Sequence, residues 1–125
     1  MDTEQYELPQ PLRLLKQAVA NYVRTEIVPL ERELDSEAVS LPKKIYERLC
    51  EKTKAMGLWC IEAPEELGGG GFNCFWETVV REETSQHRNG LYGPGYGTFG
   101  DPPPSIMYNG TEEQLRQFTI PTIQG

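Results

Sequence analysis

The stretch LPQPLRLLKQAVANYVRTEIVPLEREL, residues 8–34, decides the fold class. Its apolar side chains fall at Leu12, Leu15, Val19, Val23, Ile27, Leu30 and Leu34, in steps of three and four. That spacing draws one stripe along a helix and none along a strand, so it predicts a long amphipathic helix. Pro11 suits the first turn. Pro29 lacks an N–H and would clash with the carbonyl four residues back, which predicts a kink or break just before it, or two helical segments in line.

The next segments repeat the helical theme. Leu41-Pro42 opens a second helix with Ile45, Leu49, Cys50, Thr53 and Met56 on its inner side, ending at Met56 or at Gly57 as a left-handed cap. Leu58-Trp59-Cys60-Ile61 reads as an apolar segment buried in extended form, and Pro64 through Gly71 as a surface loop. A third helix is expected over residues 73–87, with Asn73 as N-cap and Phe75, Trp76, Val79, Val80 and Glu83 near one face. A short helix capped by Asp101 should follow, its first turn filled by prolines, with Ile106, Met107 and Tyr108 packing. Thr111-Glu112-Glu113-Gln114 has the pattern of a capping box, so a last helix starts there, turns Leu115 and Phe118 inward and stops at Pro121. The whole is read as an all-α domain spanning residues 1–125, an orthogonal or irregular bundle of about five to six helices with long Gly/Pro-rich connections.

Composition agrees with one soluble domain. Charged residues make up 25% and apolar residues 38%, while ten Pro, twelve Gly and a mean hydropathy of -0.54 point to irregular connections. A net charge of -7, with basic residues interleaved among acids, argues against nucleic acid. The N-terminus is acidic and apolar runs are short, so neither a targeting signal nor a membrane span is expected, and the location reads as cytoplasmic. Cys50, Cys60 and Cys74 include no C-x-x-C pair and have only His87 as a further soft ligand, so buried or half-buried reduced thiols are expected and no metal site.

Four features invite a chemical reading, and each has a plainer one. Gly95-Tyr96-Gly97-Thr98-Phe99-Gly100 spells G-x-G-x-x-G, but no strand precedes it and no βαβ unit surrounds it, so it is read as a glycine-rich connection rather than a dinucleotide loop. Gly68 to Gly71 lacks the G-K-[ST] ending of a phosphate loop. The pairs Glu65-Glu66, Glu82-Glu83 and Glu112-Glu113 point about 100° apart on a helix and share no site. His87 falls near a helix end, where a cation suits the dipole, and has no nucleophile at triad spacing. No catalytic residue is assigned.

Taken together, several separated strings resemble the N-terminal helical domain of the acyl-CoA dehydrogenase family. They are Glu26-Ile27-Val28-Pro29 followed by Leu41-Pro42; the run from Met56 through Gly69, similar to that family's G-L-x-x-x-x-x-P-E-x-x-G-G; the pair Glu82-Glu83; and Gly110-Thr111-Glu112-Glu113-Gln114 followed by Phe118, Pro121 and Gly125. The resemblance implies a parent flavoprotein that removes hydrogens from the α and β carbons of an acyl-CoA thioester. FAD accepts the hydride and a Glu base takes the α proton, both held mainly by a middle β domain and a C-terminal helical bundle outside this segment. It therefore implies a fragment that is not active alone, whose partners are acyl-CoA, the rest of its own polypeptide, a second copy in a homo-oligomer, and electron-transfer flavoprotein as an acceptor. The segment before the G-T-E-E-Q helix runs beside the acyl chain in this family, which makes Leu91, Tyr92, Gly95, Tyr96 and Phe99 the expected pocket wall. The sequence departs from the family there, in its many glycines, Pro102-Pro103-Pro104 and an added residue at Asn109, and Leu67 replaces a commonly aromatic position. A non-fatty acyl group is therefore compatible. The alternatives are a stand-alone helical binding or scaffold module, or part of a same-fold flavin oxidase or monooxygenase.

Overall fold

A computed structural model of the chain describes residues 7–88 and 97–125. Among the described residues there is no strand, and the elements are helices, short 3-10 turns and loops. Helix α1 (Gln10–Tyr22) passes through a π-helical turn (Val23–Ile27) into α2 (Val28–Arg32). Helices α3 (Lys43–Ala55) and α4 (Cys74–Thr84) follow, and α5 (Glu112–Gln114) leads through a second π turn (Leu115–Thr119) into α6 (Ile120–Gln124).

The stripe of the first helix lies where its spacing puts it. Leu12, Val19, Val23 and Ile27 are buried, with Leu15, Leu30 and Leu34 half-buried. Fully burying a side chain of this size contributes roughly 1.5–3 kcal/mol, and Val19, Val23 and Ile27 share one core with Leu49 of α3 and Val80 of α4. The expected kink before Pro29 takes a different form. The backbone stays right-handed through Ile27 and Val28, and the Val28 N–H donates to the Val23 carbonyl five residues back. This one wide turn absorbs the proline without ending the helix.

The same device corrects the C-terminal end. Pro121 does not stop the last helix, because the Ile120 N–H donates to the Leu115 carbonyl across the second π turn and α6 runs on to Gln124. The wide turn also changes which side chains face in: Thr119 and Ile123 are buried, Leu115 is half-buried and Phe118 is 58% exposed. The capping box is present, with Thr111 Oγ1 accepting from the Gln114 N–H at 3.3 Å and Gln114 Oε1 from the Thr111 N–H at 2.9 Å.

Helix α3 ends as Gly57 dictates. Gly57 has φ +72, its N–H donates to the Lys54 carbonyl, and the Leu58 N–H donates to Thr53, which closes a Schellman motif. Met56, at the C-cap, is exposed rather than inward. Leu58, Cys60 and Ile61 are buried as expected, with Trp59 half-buried and Ala63 buried beside them, yet the segment runs in bends and turns rather than extended, and Cys60 is left-handed with φ +46.

The glycine run after them is no loose surface loop. A Cβ on Gly69 would sit 2.2 Å from the Ala63 carbonyl oxygen, and one on Gly70 would sit 2.8 Å from Ile61 Cα. Backbone packs on backbone there, held by the Gly71 N–H to Ala63 and the Phe72 N–H to Ile61. Asn73 caps α4 as expected, accepting from the Trp76 N–H at 2.9 Å, but α4 ends at Thr84 instead of His87 and leaves Phe75 exposed. The turn Ser105–Asn109 is 3-10 and starts after Pro104 with no side-chain cap, so Asp101 does not cap it; Met107 and Tyr108 are half-buried and Ile106 is 77% exposed.

Candidate functional site

Of the five side chains expected to line an acyl pocket, Leu91, Tyr92, Gly95 and Tyr96 lie outside the described residues. Phe99 is described, and it is fully buried in the main core. It sits in a 3-10 turn (Gly97–Phe99), edge-on to Tyr22 at 6.1 Å between centroids and tilted against His87 at 6.1 Å. Its carbonyl accepts the Cys60 N–H at 3.0 Å, which ties this turn to the buried segment after α3. Gly97, Thr98 and Phe99 of the G-x-G-x-x-G string thus form a buried 3-10 turn.

The side before residue 89 is tied down as firmly. The Arg88 N–H donates to Glu31 Oε1 at 2.8 Å, and its guanidinium donates to the carbonyls of Asp35, Ser36 and Ala38 in the connection between α2 and α3. His87 Nδ1–H donates to the Thr84 carbonyl. Burial lowers the pKa of the imidazole below its ordinary 6.5, opposed by that hydrogen bond and by Glu31. His87 is therefore a neutral, packed ring, not the dipole-facing cation that its place near a helix end suggested.

Trp59 joins three parts of the chain at the other end of the 3-10 turn. Its indole N–H donates to the Ile123 carbonyl at 2.8 Å, and the Lys54 ammonium lies 4.6 Å from its ring centroid. A Cβ on Gly100 would meet Trp59 Cε2 at 2.7 Å, and one on Gly125 would meet Cζ2 at 2.7 Å, so both residues must be small for the indole to fit. A cleft of about 670 Å³ opens beside it between α3 and α6, lined by Tyr46, Cys50, Glu51, Trp59 and Asp101 among others. Burial pushes the Tyr46 phenol up to about 12.

Glu62 and Arg81 form a largely enclosed ion pair, with side chains 14% and 13% exposed. Among the described residues, Glu62 Oε1 is buried without a hydrogen-bond partner. Burial raises the thiols of Cys50 and Cys60, the latter to about 11, which makes them protonated packing groups. Cys74, expected at least half-buried, is exposed, and all three cysteines are free. Glu82 and Glu83 both reach Lys16, at 3.6 and 3.7 Å, as surface partners. Among the described residues there is no group of three or more metal-ligating side chains, and no helix is long and apolar enough to cross a membrane.

This arrangement presents no paired acid and base and no activated nucleophile among the described residues, and within the Gly68 to Gly71 run Gly69 and Gly70 pack directly on the backbone of Ala63 and Ile61. It is built to hold the ends of residues 89–96. A small all-α domain of this kind, with a buried glycine-packed turn at its centre, matches the sequence profile of the "Acyl-CoA dehydrogenase, N-terminal domain" over residues 10–125. The chain belongs to the acyl-CoA dehydrogenase family.

Among the curated relatives, (R)-benzylsuccinyl-CoA dehydrogenase of Thauera aromatica is 31% identical over 82% of this chain and 27% of its own length. The mitochondrial short-chain specific acyl-CoA dehydrogenase of Sus scrofa is 28% identical over 95% of this chain and 28% of its own, and that of Homo sapiens is 26% identical over the same shares. The chain thus spans under a third of these relatives. No solved structure matches it significantly.

Proposed function

We propose that the chain serves as the N-terminal helical domain of an FAD-dependent acyl-CoA dehydrogenase and supplies one wall of its acyl pocket. The profile match over residues 10–125 carries this reading. The flavin and the catalytic base belong to other parts of the parent chain in this reading, which is supported by Gly69 and Gly70 packing on the chain's own backbone and by the second glycine string ending in a buried turn. FAD, where bound, takes the hydride from the β carbon of the thioester; this domain's part is to shape the acyl side and keep water from it.

Leu91, Tyr92, Gly95 and Tyr96 form the wall in this reading. Phe99 supports it from behind, because a ring buried against Tyr22 and His87 holds position without touching substrate. A wall rich in Gly and Tyr suits a bulky or aromatic acyl group, and the relatives' names range from benzylsuccinyl-CoA to short-chain acyl-CoA. A cytoplasmic homo-oligomer that passes electrons to an electron-transfer flavoprotein completes the proposal.

The test is a specificity ratio in an enzyme that carries residues 10–125 as its N-terminal domain. Tyr92→Ala and Tyr96→Ala should change the ratio of kcat/KM for benzylsuccinyl-CoA to that for a short-chain acyl-CoA by about tenfold or more, the scale of a lost pocket contact. An unchanged ratio in an active enzyme would remove residues 91–96 from the wall.

A further inference from the structure

Helix α4 closes at Thr84, where the Ser85 N–H donates to the Arg81 carbonyl, yet the chain beyond it is fastened to another part of the fold. The main-chain N–H of half-buried Arg88 donates to Glu31 Oε1 at 2.8 Å. Its guanidinium donates to three main-chain carbonyls of the α2–α3 connection, those of Asp35 and Ala38 at 3.1 Å each and that of Ser36. A surface guanidinium paired with one carboxylate fixes little. One that bridges three carbonyls through its rigid planar fork fixes backbone against backbone. The connection it grips is itself seated: the Ala38 N–H donates to the Asp35 carbonyl at 3.1 Å, the Glu37 N–H to Asp35 Oδ1 at 2.8 Å, and Leu34 and Ala38 pack on the main core.

Residue 97 is anchored separately. The Gly97–Phe99 turn is buried, its Phe99 carbonyl accepts the Cys60 N–H, and the Phe99 ring meets His87. The two positions that bound residues 89–96 are thus fixed to different parts of the core. We propose that Arg88 is a positioning residue for the acyl wall: by fastening residue 88 to the carbonyls of Asp35, Ser36 and Ala38 it fixes the point from which residues 89–96 start, and so sets the size of acyl group that the wall accepts. The proposal rests on residues 91–96 forming that wall, as proposed above. Arg88 itself touches no substrate and acts only through the chain that follows it.

The experiment grafts residues 10–125 in place of the matched domain of the Thauera aromatica relative and measures kcat and KM for benzylsuccinyl-CoA and for a short-chain acyl-CoA. Arg88→Gln should raise KM for benzylsuccinyl-CoA about tenfold and leave kcat within about twofold, the pattern of lost uniform binding, with a much smaller change for the short-chain substrate. Arg88→Lys should give the same shift, since one ammonium does not reproduce a planar fork across three carbonyls. Glu31→Ala takes away the acceptor of the Arg88 N–H, leaves the guanidinium in place and should move the KM ratio in the same direction. Asn73→Ala removes the cap at the opposite end of α4, which costs stability, and should leave the ratio unchanged. If Arg88→Gln does not retain FAD, Arg88→Lys and Glu31→Ala carry the test. A wild-type ratio in folded Arg88→Gln or Arg88→Lys overturns the proposal, and so does an equal shift in Asn73→Ala, which would make the effect one of general stability. Failure of the wall reading looks different: Tyr92→Ala and Tyr96→Ala then leave the ratio unchanged as well, whereas a ratio that follows the two tyrosines but not Arg88 overturns the positioning role alone.

Discussion

Trp59 and Ile123 lie far apart in the sequence, yet the indole N–H of one donates to the carbonyl of the other at 2.8 Å. That bond fastens the last helix to the turn after α3, with Lys54 over the exposed ring face and Gly100 and Gly125 against its edge. Trp59→Phe keeps most of the packing and leaves a half-buried carbonyl without its donor, so it should cost about 1–2 kcal/mol in urea unfolding. Gly100→Ala should cost more than Trp59→Phe. Its φ of +85 disfavours any Cβ, by about 1–2 kcal/mol for a left-handed residue, and the new atom would press on Trp59.

The pair Glu62 and Arg81 gives a second, sharper test. Arg81→Met leaves an enclosed carboxylate without its cation and should destabilise by about 3–5 kcal/mol. Adding Glu62→Gln to that variant should recover a large part of the loss. A double variant as unstable as the single one would mean that shape, not charge, is what this position needs.

His87 predicts a pH dependence with a definite sign. Its pKa is lowered in the folded protein, so below the unfolded value of about 6.5 the unfolded chain binds more protons. Stability is therefore complete above that value and falls as the pH drops from 6.5 toward the folded pKa. Urea midpoints at pH 7.5 and 5.5 should differ in the wild type, and His87→Gln should flatten the difference. Equal slopes in both proteins would place the titration elsewhere.

Thiol chemistry separates the three cysteines. Cys74 is exposed and should react with a thiol reagent at once, whereas Cys50 and Cys60, buried and with raised pKa, should wait for unfolding. Three equivalents should appear together in strong denaturant. Rapid labelling of Cys60 in the native protein would contradict the packing around the Phe99 carbonyl.

Much of this fold is legible because local rules and tertiary packing agree. The stripe from Leu12 to Ile27, the Asn73 cap, the Gly57 motif and the Thr111 box each follow from side-chain spacing or from one residue's backbone freedom, and each is present. What was not legible depends on distant partners. Pro29 reads as a kink, a break or a join between two helical segments, and Pro121 as a stop, because α-helical geometry does not admit them, and nothing local announces the π turns that do. Glycines 68 to 71 read as a loop because glycine permits loops, while here they let backbone pack on Ile61 and Ala63. Phe99 reads as a pocket residue from its place in the chain, and it is fully buried in the core against Tyr22 and His87.

The measurement that reaches the central claim most directly is dehydrogenation by the graft of residues 10–125 into the Thauera aromatica relative, assayed with a CoA thioester and an artificial electron acceptor. The account predicts a folded graft that retains FAD and forms the α,β-unsaturated thioester. A folded graft whose flavin is bound but never reduced by any acyl-CoA would contradict it, because the proposal has this domain close the acyl side of the pocket.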